Sequence, residues 1–127
     1  MNKTIRIAID GPGGAGKSTI AQAVAKALQI DYIDTGSMYR AVAFKLLKEG
    51  VDLQNDTAVQ EMLDRTDIDF SKGNIFLDGE NINEKIRTPE ISSMASKCSA
   101  LPMVREKLVA LQRKMGEAKS IIMDGRD

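Results

Sequence analysis

A chain of 127 residues can bury one modest core, and 43% hydrophobic residues mark it as globular rather than disordered. Lysine plus arginine and aspartate plus glutamate both number 18, a balance that argues against a general binder of nucleic acid or of membrane surfaces. Histidine is absent, which excludes histidine triads and histidine metal sites, and a lone Cys98 permits no internal disulfide.

The first apolar run, Ile5-Arg6-Ile7-Ala8-Ile9, reads as a buried strand, too short and too soon interrupted for a secretory leader or a membrane span. It runs into Gly11-Pro12-Gly13-Gly14-Ala15-Gly16-Lys17-Ser18, which fits G-x-x-x-x-G-K-[ST]. Ile20, Val24 and Leu28 recur every fourth residue and predict a helix over 17–28 with one buried stripe. Residues 31–34 form a short strand, and Met38, Val42 and Leu46 mark a second helix that stops at Gly50. A shorter helical piece covers 58–63.

From about Asp67 to Ile86 the pattern changes. Ile68 and Phe70 alternate with polar residues, and Ile75-Phe76-Leu77 meets Asp78-Gly79, a hairpin turn signal. The segment 67–86 therefore reads as a small antiparallel insert between helices, and Asp78 as a turn residue rather than a metal-orienting carboxylate at a strand end. Thr88, Pro89 and Glu90 announce the next helix. Pro102 interrupts; then Val104, Leu108, Leu111 and Met115 form the clearest helical stripe, with Gly116 near its end. Cys98 reads as a helix-packing residue in a reducing compartment. Residues 120–123 form a last strand, ending in Asp124-Gly125-Arg126-Asp127.

Strands alternating with helices predict an α/β fold with a parallel sheet, and a ligand beyond the carboxyl ends of its strands. Three polar clusters fall at those ends: the glycine-rich loop, Asp34-Thr35, and 124–127. In the loop, missing side chains let successive backbone N–H groups face one concavity, and the following helix adds its positive end. Lys17 can reach β- and γ-phosphate oxygens, and the Ser18 hydroxyl can ligate Mg²⁺, with Thr19 as a second hydroxyl. Asp124, at the end of an apolar strand, is placed to orient Mg²⁺ or its waters. Gly11, Gly13 and Gly16 also satisfy the dinucleotide fingerprint G-x-G-x-x-G, with Asp34 where a ribose contact would lie. Against that rival, a dinucleotide turn gives no reason for Lys17-Ser18 and needs a narrower cradle. Arg40, Arg87, Arg105 and Arg126 are arginines outside the loop, and Arg126 follows a buried strand. An enzyme joining two phosphate groups needs such planar, permanently charged forks.

The glycine-rich loop with Thr19, the runs Asp34-Thr35-Gly36-Ser37-Met38-Tyr39-Arg40, Ile86-Arg87-Thr88-Pro89-Glu90 and Val104-Arg105, and the closing Met123-Asp124-Gly125-Arg126-Asp127 together resemble bacterial cytidylate kinases, over essentially the whole chain and in motif order. The resemblance implies one P-loop kinase domain over 1–127, with 67–86 as a β-rich monophosphate-binding insert. It implies ATP and Mg²⁺, with γ-phosphoryl transfer to CMP or dCMP. Lys17, Arg40 and Arg126 would be the catalytic cations, and 11–19 the ATP cradle. Thr35, Arg40 and Arg126 would contact the acceptor phosphate, while Ser96, Arg105 and Asp127 would address the cytosine. No nucleic-acid polymer or membrane is expected as a partner; a monomeric, cytoplasmic protein is. The family continues with more sheet, an arginine-bearing lid and a final helix, so 1–127 is expected to be an N-terminal portion that is not competent alone. Another small-molecule P-loop kinase is the nearest alternative. A GTPase-type module lacks its guanine-reading Asn-Lys-x-Asp run in these residues.

Overall fold

The computed structural model describes residues 6–9 and 17–124, with side chains over 20–123. The elements in order are β1 (Arg6–Ile9), α1 (Lys17–Leu28), β2 (Asp31–Ile33), α2 (Thr35–Glu49), α3 (Asp56–Asp64), β3 (Ile68–Ser71), β4 (Asn74–Leu77), β5 (Glu80–Asn81), α4 (Pro89–Cys98), α5 (Pro102–Ala118) and β6 (Ile121–Asp124). They form the expected α/β architecture: a parallel sheet ordered β1-β6-β2, flanked by helices, and a separate antiparallel sheet ordered β3-β4-β5.

Caps explain where the helices start. Thr88 accepts the Ile91 N–H at 3.2 Å, with Pro89 in the first turn where its missing donor costs nothing. Asn55 caps α3 by accepting the Ala58 N–H at 3.1 Å. Pro102 opens α5 rather than merely breaking the chain, and that helix continues through Gly116 to Ala118. Its stripe of Val104, Leu108, Leu111 and Met115 is buried as the spacing predicts.

The α1 stripe is different. Ile20 and Leu28 are 55% and 48% exposed, whereas Ala21 and Ala25 are buried against Ile122 of β6. Two alanines one turn apart let the helix axis lie close to the sheet, and the bulkier residues are left on its flank. Four-residue spacing showed that α1 is a helix but not which stripe faces inward.

The insert follows its alternation. Ile68, Phe70, Ile75 and Leu77 turn to one buried face. Both connections are two-residue turns whose central residues carry positive φ: Lys72 at 51° and Gly73 at 82°, then Asp78 at 51° and Gly79 at 87°. That is the backbone of the hairpin turn matching strand twist, and glycine at the second position carries it without steric cost. The second turn is the one expected from Asp78-Gly79; the first, at Lys72-Gly73, is added by the structure.

Two cationic clips fasten the insert to the rest. Lys45 of α2 is buried, donating to the Arg65 carbonyl at 3.0 Å and to Asp78 Oδ2 at 2.6 Å. Asp78 Oδ1 also accepts the Asp67 N–H at 2.8 Å, so Asp78 is indeed a structural turn residue. At the amino end of β2, Lys119 bridges Asp31 at 2.9 Å and Asp69 at 3.0 Å and donates to the Phe70 carbonyl. Partial burial opposes its charge, but the two carboxylates outweigh this and raise the ammonium pKa. Replacing Asp78 by alanine should cost the full-length protein about 2–3 kcal/mol, below the usual figure for a fully buried pair because Asp78 is partly exposed. Asp78→Asn should cost less, since asparagine tolerates the left-handed turn. Urea unfolding measures both; an Asp78→Ala protein as stable as the parent would mean that the clip contributes nothing.

Candidate active site

The parallel register sets the site. Ile9 of β1 pairs with Asp124 of β6, and Ile33 of β2 with Met123. The carboxyl ends of all three strands therefore lie along one edge. From it, residues 10–16 lead to α1, Asp34 leads to α2, and Asp124 ends β6. Both helices begin at that edge, so both positive ends face it. Gly11 to Gly16, Arg126 and Asp127 lie outside the described residues, as do the side chains of Lys17, Ser18, Thr19 and Asp124. Lys17 is the first residue of α1, with Ser18 and Thr19 in its first turn. The strand and helix that a P-loop requires thus flank the glycine-rich run.

Strand order also decides against the dinucleotide rival. That fold places its second strand beside its first. Here β6 lies between β1 and β2. Asp34 moreover lies just past β2, as the N-cap of α2. Its Oδ1 accepts the Ser37 N–H at 3.3 Å, and this local demand explains an acidic residue there.

The start of α2 is the best-defined part of the edge. Asp34, Ser37 and Arg40 are three residues apart, so their side chains share one helix face. The Ser37 hydroxyl donates to Asp34 Oδ2 at 2.9 Å and accepts from Arg40 Nη2 at 2.8 Å. Arg40 Nη2 stands 3.8 Å from Asp34 Oδ2, and its side chain is 34% exposed. Thr35 is 8% exposed, and among the described residues its hydroxyl has no protein partner. A Cβ on Gly36 would crowd Asp34 Oδ1 at 3.3 Å and make an ordinary contact with Arg40 Nη1 at 3.5 Å.

The other candidate residues come from helices packed on α2. α4 lies along it, with Cys98 Sγ 3.9 Å from the Tyr39 carbonyl; burial pushes that thiol up to about 11, which fits a packing role. Ser96, in the last turn of α4, and Arg105, in the first turn of α5, are both exposed. α5 is tied to α2 through Gln112 Nε2, 3.7 Å from Met38 Sδ. Arg87 is exposed and pairs with Glu84 and the Asn83 carbonyl. Depressions of about 430 Å³ between the end of α3 and α5, and of about 410 Å³ along α5 and β6, are lined by none of Thr35, Arg40, Ser96 or Arg105. Among the described residues no cluster of three acidic or cysteine side chains could hold a metal, and no helix is long and apolar enough to cross a membrane. The sequence reading assigned no role to Ser37; its three-residue spacing from Asp34 and Arg40 was the available signal.

Comparison with known proteins follows the same lines. The family model for cytidylate kinase matches residues 7–127. The chain is 54% identical over 121 residues to a cytidylate kinase of Clostridioides difficile, covering 95% of this chain and 56% of that protein. It is 50% identical over 127 residues to a cytidylate kinase of Caldanaerobacter subterraneus, covering 100% and 57%. A cytidylate kinase of Alkaliphilus oremlandii is 49% identical over 123 residues, covering 97% and 57%. The chain spans about half the length of the curated relatives it matches.

Proposed function

The chain belongs to the cytidylate kinase family, and from that premise we propose that the full-length protein transfers the γ-phosphoryl group of ATP to CMP or dCMP, giving ADP and the diphosphate. The observation that carries this reading is the shared carboxyl edge: the exit of β1 toward the glycine-rich run, the start of α2 and the end of β6 lie side by side. A donor triphosphate and an acceptor monophosphate can meet only where two anion seats adjoin.

In this reading, residues 11–19 cradle the ATP phosphates and Lys17 neutralises the β- and γ-oxygens. Thr35 and Arg40 hold the acceptor phosphate with Arg126, at the positive end of α2. The acceptor oxygen is already anionic, so no strong base is needed; catalysis is alignment plus charge neutralisation. Ser18, in the first turn of α1, and Asp124, opposite Ile9 in the sheet, suit a Mg²⁺ site at the same edge. Such an ion, when bound, neutralises charge on the transferred phosphoryl group. Residues 67–86 form the monophosphate-binding insert, within a single P-loop kinase domain over 1–127.

Ser96, Arg105 and Asp127 read the base. Cytosine offers acceptors at O2 and N3, which an arginine satisfies, and an exocyclic amine, which a carboxylate accepts. Uracil presents a carbonyl to Asp127 instead, a mismatch costing about 1–3 kcal/mol. A coupled assay of ADP release by the full-length protein, with CMP, dCMP, UMP and AMP as acceptors, tests the proposal. CMP or dCMP should exceed UMP and AMP by about tenfold or more in kcat/KM. Turnover confined to another acceptor would leave a P-loop kinase and remove the cytidylate assignment.

A further inference from the structure

Arg40 has an anionic neighbour that could disable it. Asp34 is fixed as the N-cap of α2, and its Oδ2 lies 3.8 Å from Arg40 Nη2. A guanidinium and a carboxylate left to themselves close into a two-pronged pair, which would spend both the charge and the fork of Arg40 inside the protein. They do not close here, because the Ser37 hydroxyl stands between them. It donates a hydrogen bond to Asp34 Oδ2 at 2.9 Å and accepts one from Arg40 Nη2 at 2.8 Å. The Ser37 N–H takes up Asp34 Oδ1 at 3.3 Å. Both carboxylate oxygens are thereby engaged by Ser37, and the guanidinium is held by one nitrogen only. Among the described residues, Nη1 and Nε have no partner. Ser37 is itself 9% exposed, so water does not readily substitute for its hydroxyl.

We propose that Ser37 is a positioning residue: its hydroxyl is a spacer that stops Asp34 from capturing Arg40 and leaves the free edge of the guanidinium for the acceptor phosphate. This rests on the reading of Arg40 as a ligand of that phosphate. The spacer lowers the cost of binding, because Arg40 need not leave a carboxylate before meeting its ligand. Its effect is bounded by what a partly exposed ion pair is worth, which is a few-fold in affinity.

The test uses the full-length protein with CMP and ATP. Ser37→Ala should raise the KM for CMP about fivefold, with kcat and the KM for ATP unchanged within about twofold. Ser37→Thr, which keeps the hydroxyl, should restore most of the loss. Adding Asp34→Asn to Ser37→Ala should also bring the KM for CMP back toward the parent value, because asparagine still caps the helix but carries no charge to capture Arg40. A merely structural serine would not give that rescue. Should Ser37→Ala fail to accumulate as folded protein, Ser37→Cys offers the same comparison with a weaker hydrogen-bonding group. An unchanged KM for CMP in an active enzyme overturns the spacer role alone, as does a double variant no better than Ser37→Ala. A parent protein that does not phosphorylate CMP overturns the kinase reading and this inference together.

Discussion

Changing Lys17 to alanine in the full-length protein should lower kcat for phosphoryl transfer by about a thousandfold or more while leaving the fold intact. Lys17 opens α1, directly after the glycine-rich run and at the carboxyl edge of the sheet. Its ammonium is the side-chain charge in that run able to meet the charge developing between the β- and γ-phosphates. Removing one preorganised donor from such a site costs about a hundredfold to a thousandfold, and a full positive charge adds to that. Alanine is the best helix former, so α1 loses nothing in propensity. The coupled assay reads the rate, and circular dichroism with thermal unfolding reads the fold. A variant within tenfold of the parent would remove Lys17 from the chemistry and the P-loop assignment with it.

Arg40→Met should fall on the other substrate. We expect kcat/KM for CMP to drop by about two to four orders of magnitude, with the KM for ATP nearly unchanged. Hydrogen bonds to charged groups contribute about 1.5–3 kcal/mol each, and a fork supplies two of them. Methionine is a good helix former and matches the arginine stem, and a third of the Arg40 side chain is exposed, so α2 should hold. Arg40→Lys should recover charge but not the paired geometry, and so fall between the two. An equal loss for both substrates would place Arg40 elsewhere in the cycle. A loss under tenfold would make it a surface charge, the ordinary fate of an arginine.

The two substitutions test different halves of the site. The sequence suggests both halves because each carries a local signature. The glycine-rich run needs only a strand before it and a helix after it, and β1 and α1 supply them. The Asp78-Gly79 turn, the Thr88-Pro89 start and the α5 stripe are likewise legible, because caps, turns and helical periods act within a few residues. The local pattern also placed three polar clusters at strand ends.

Other features required the folded chain. Spacing along α1 makes Ile20, Val24 and Leu28 the buried stripe; in the structure Ala21 and Ala25 pack on Ile122 with Val24 beside them, and Ile20 and Leu28 are exposed. The sequence alone argues against Asp34 as a ribose contact only through Lys17-Ser18 and the width of the cradle; the position of β6 between β1 and β2 adds the structural ground. Lys45 pairs with Asp78 across 33 positions, and Lys119 joins Asp31 to Asp69; no pattern in the chain announces either. Ser37 was in plain view within a motif, but its hydroxyl gained a meaning only when two side chains of opposite charge were found on either side of it. Residue order determined which segments are helix, strand or turn, and it carries the pattern from which a phosphate cradle is expected, because those properties depend on neighbours a few positions away. The tertiary structure decided which faces are buried, which strands adjoin and which distant charges pair, because these depend on contacts between segments that the chain keeps far apart.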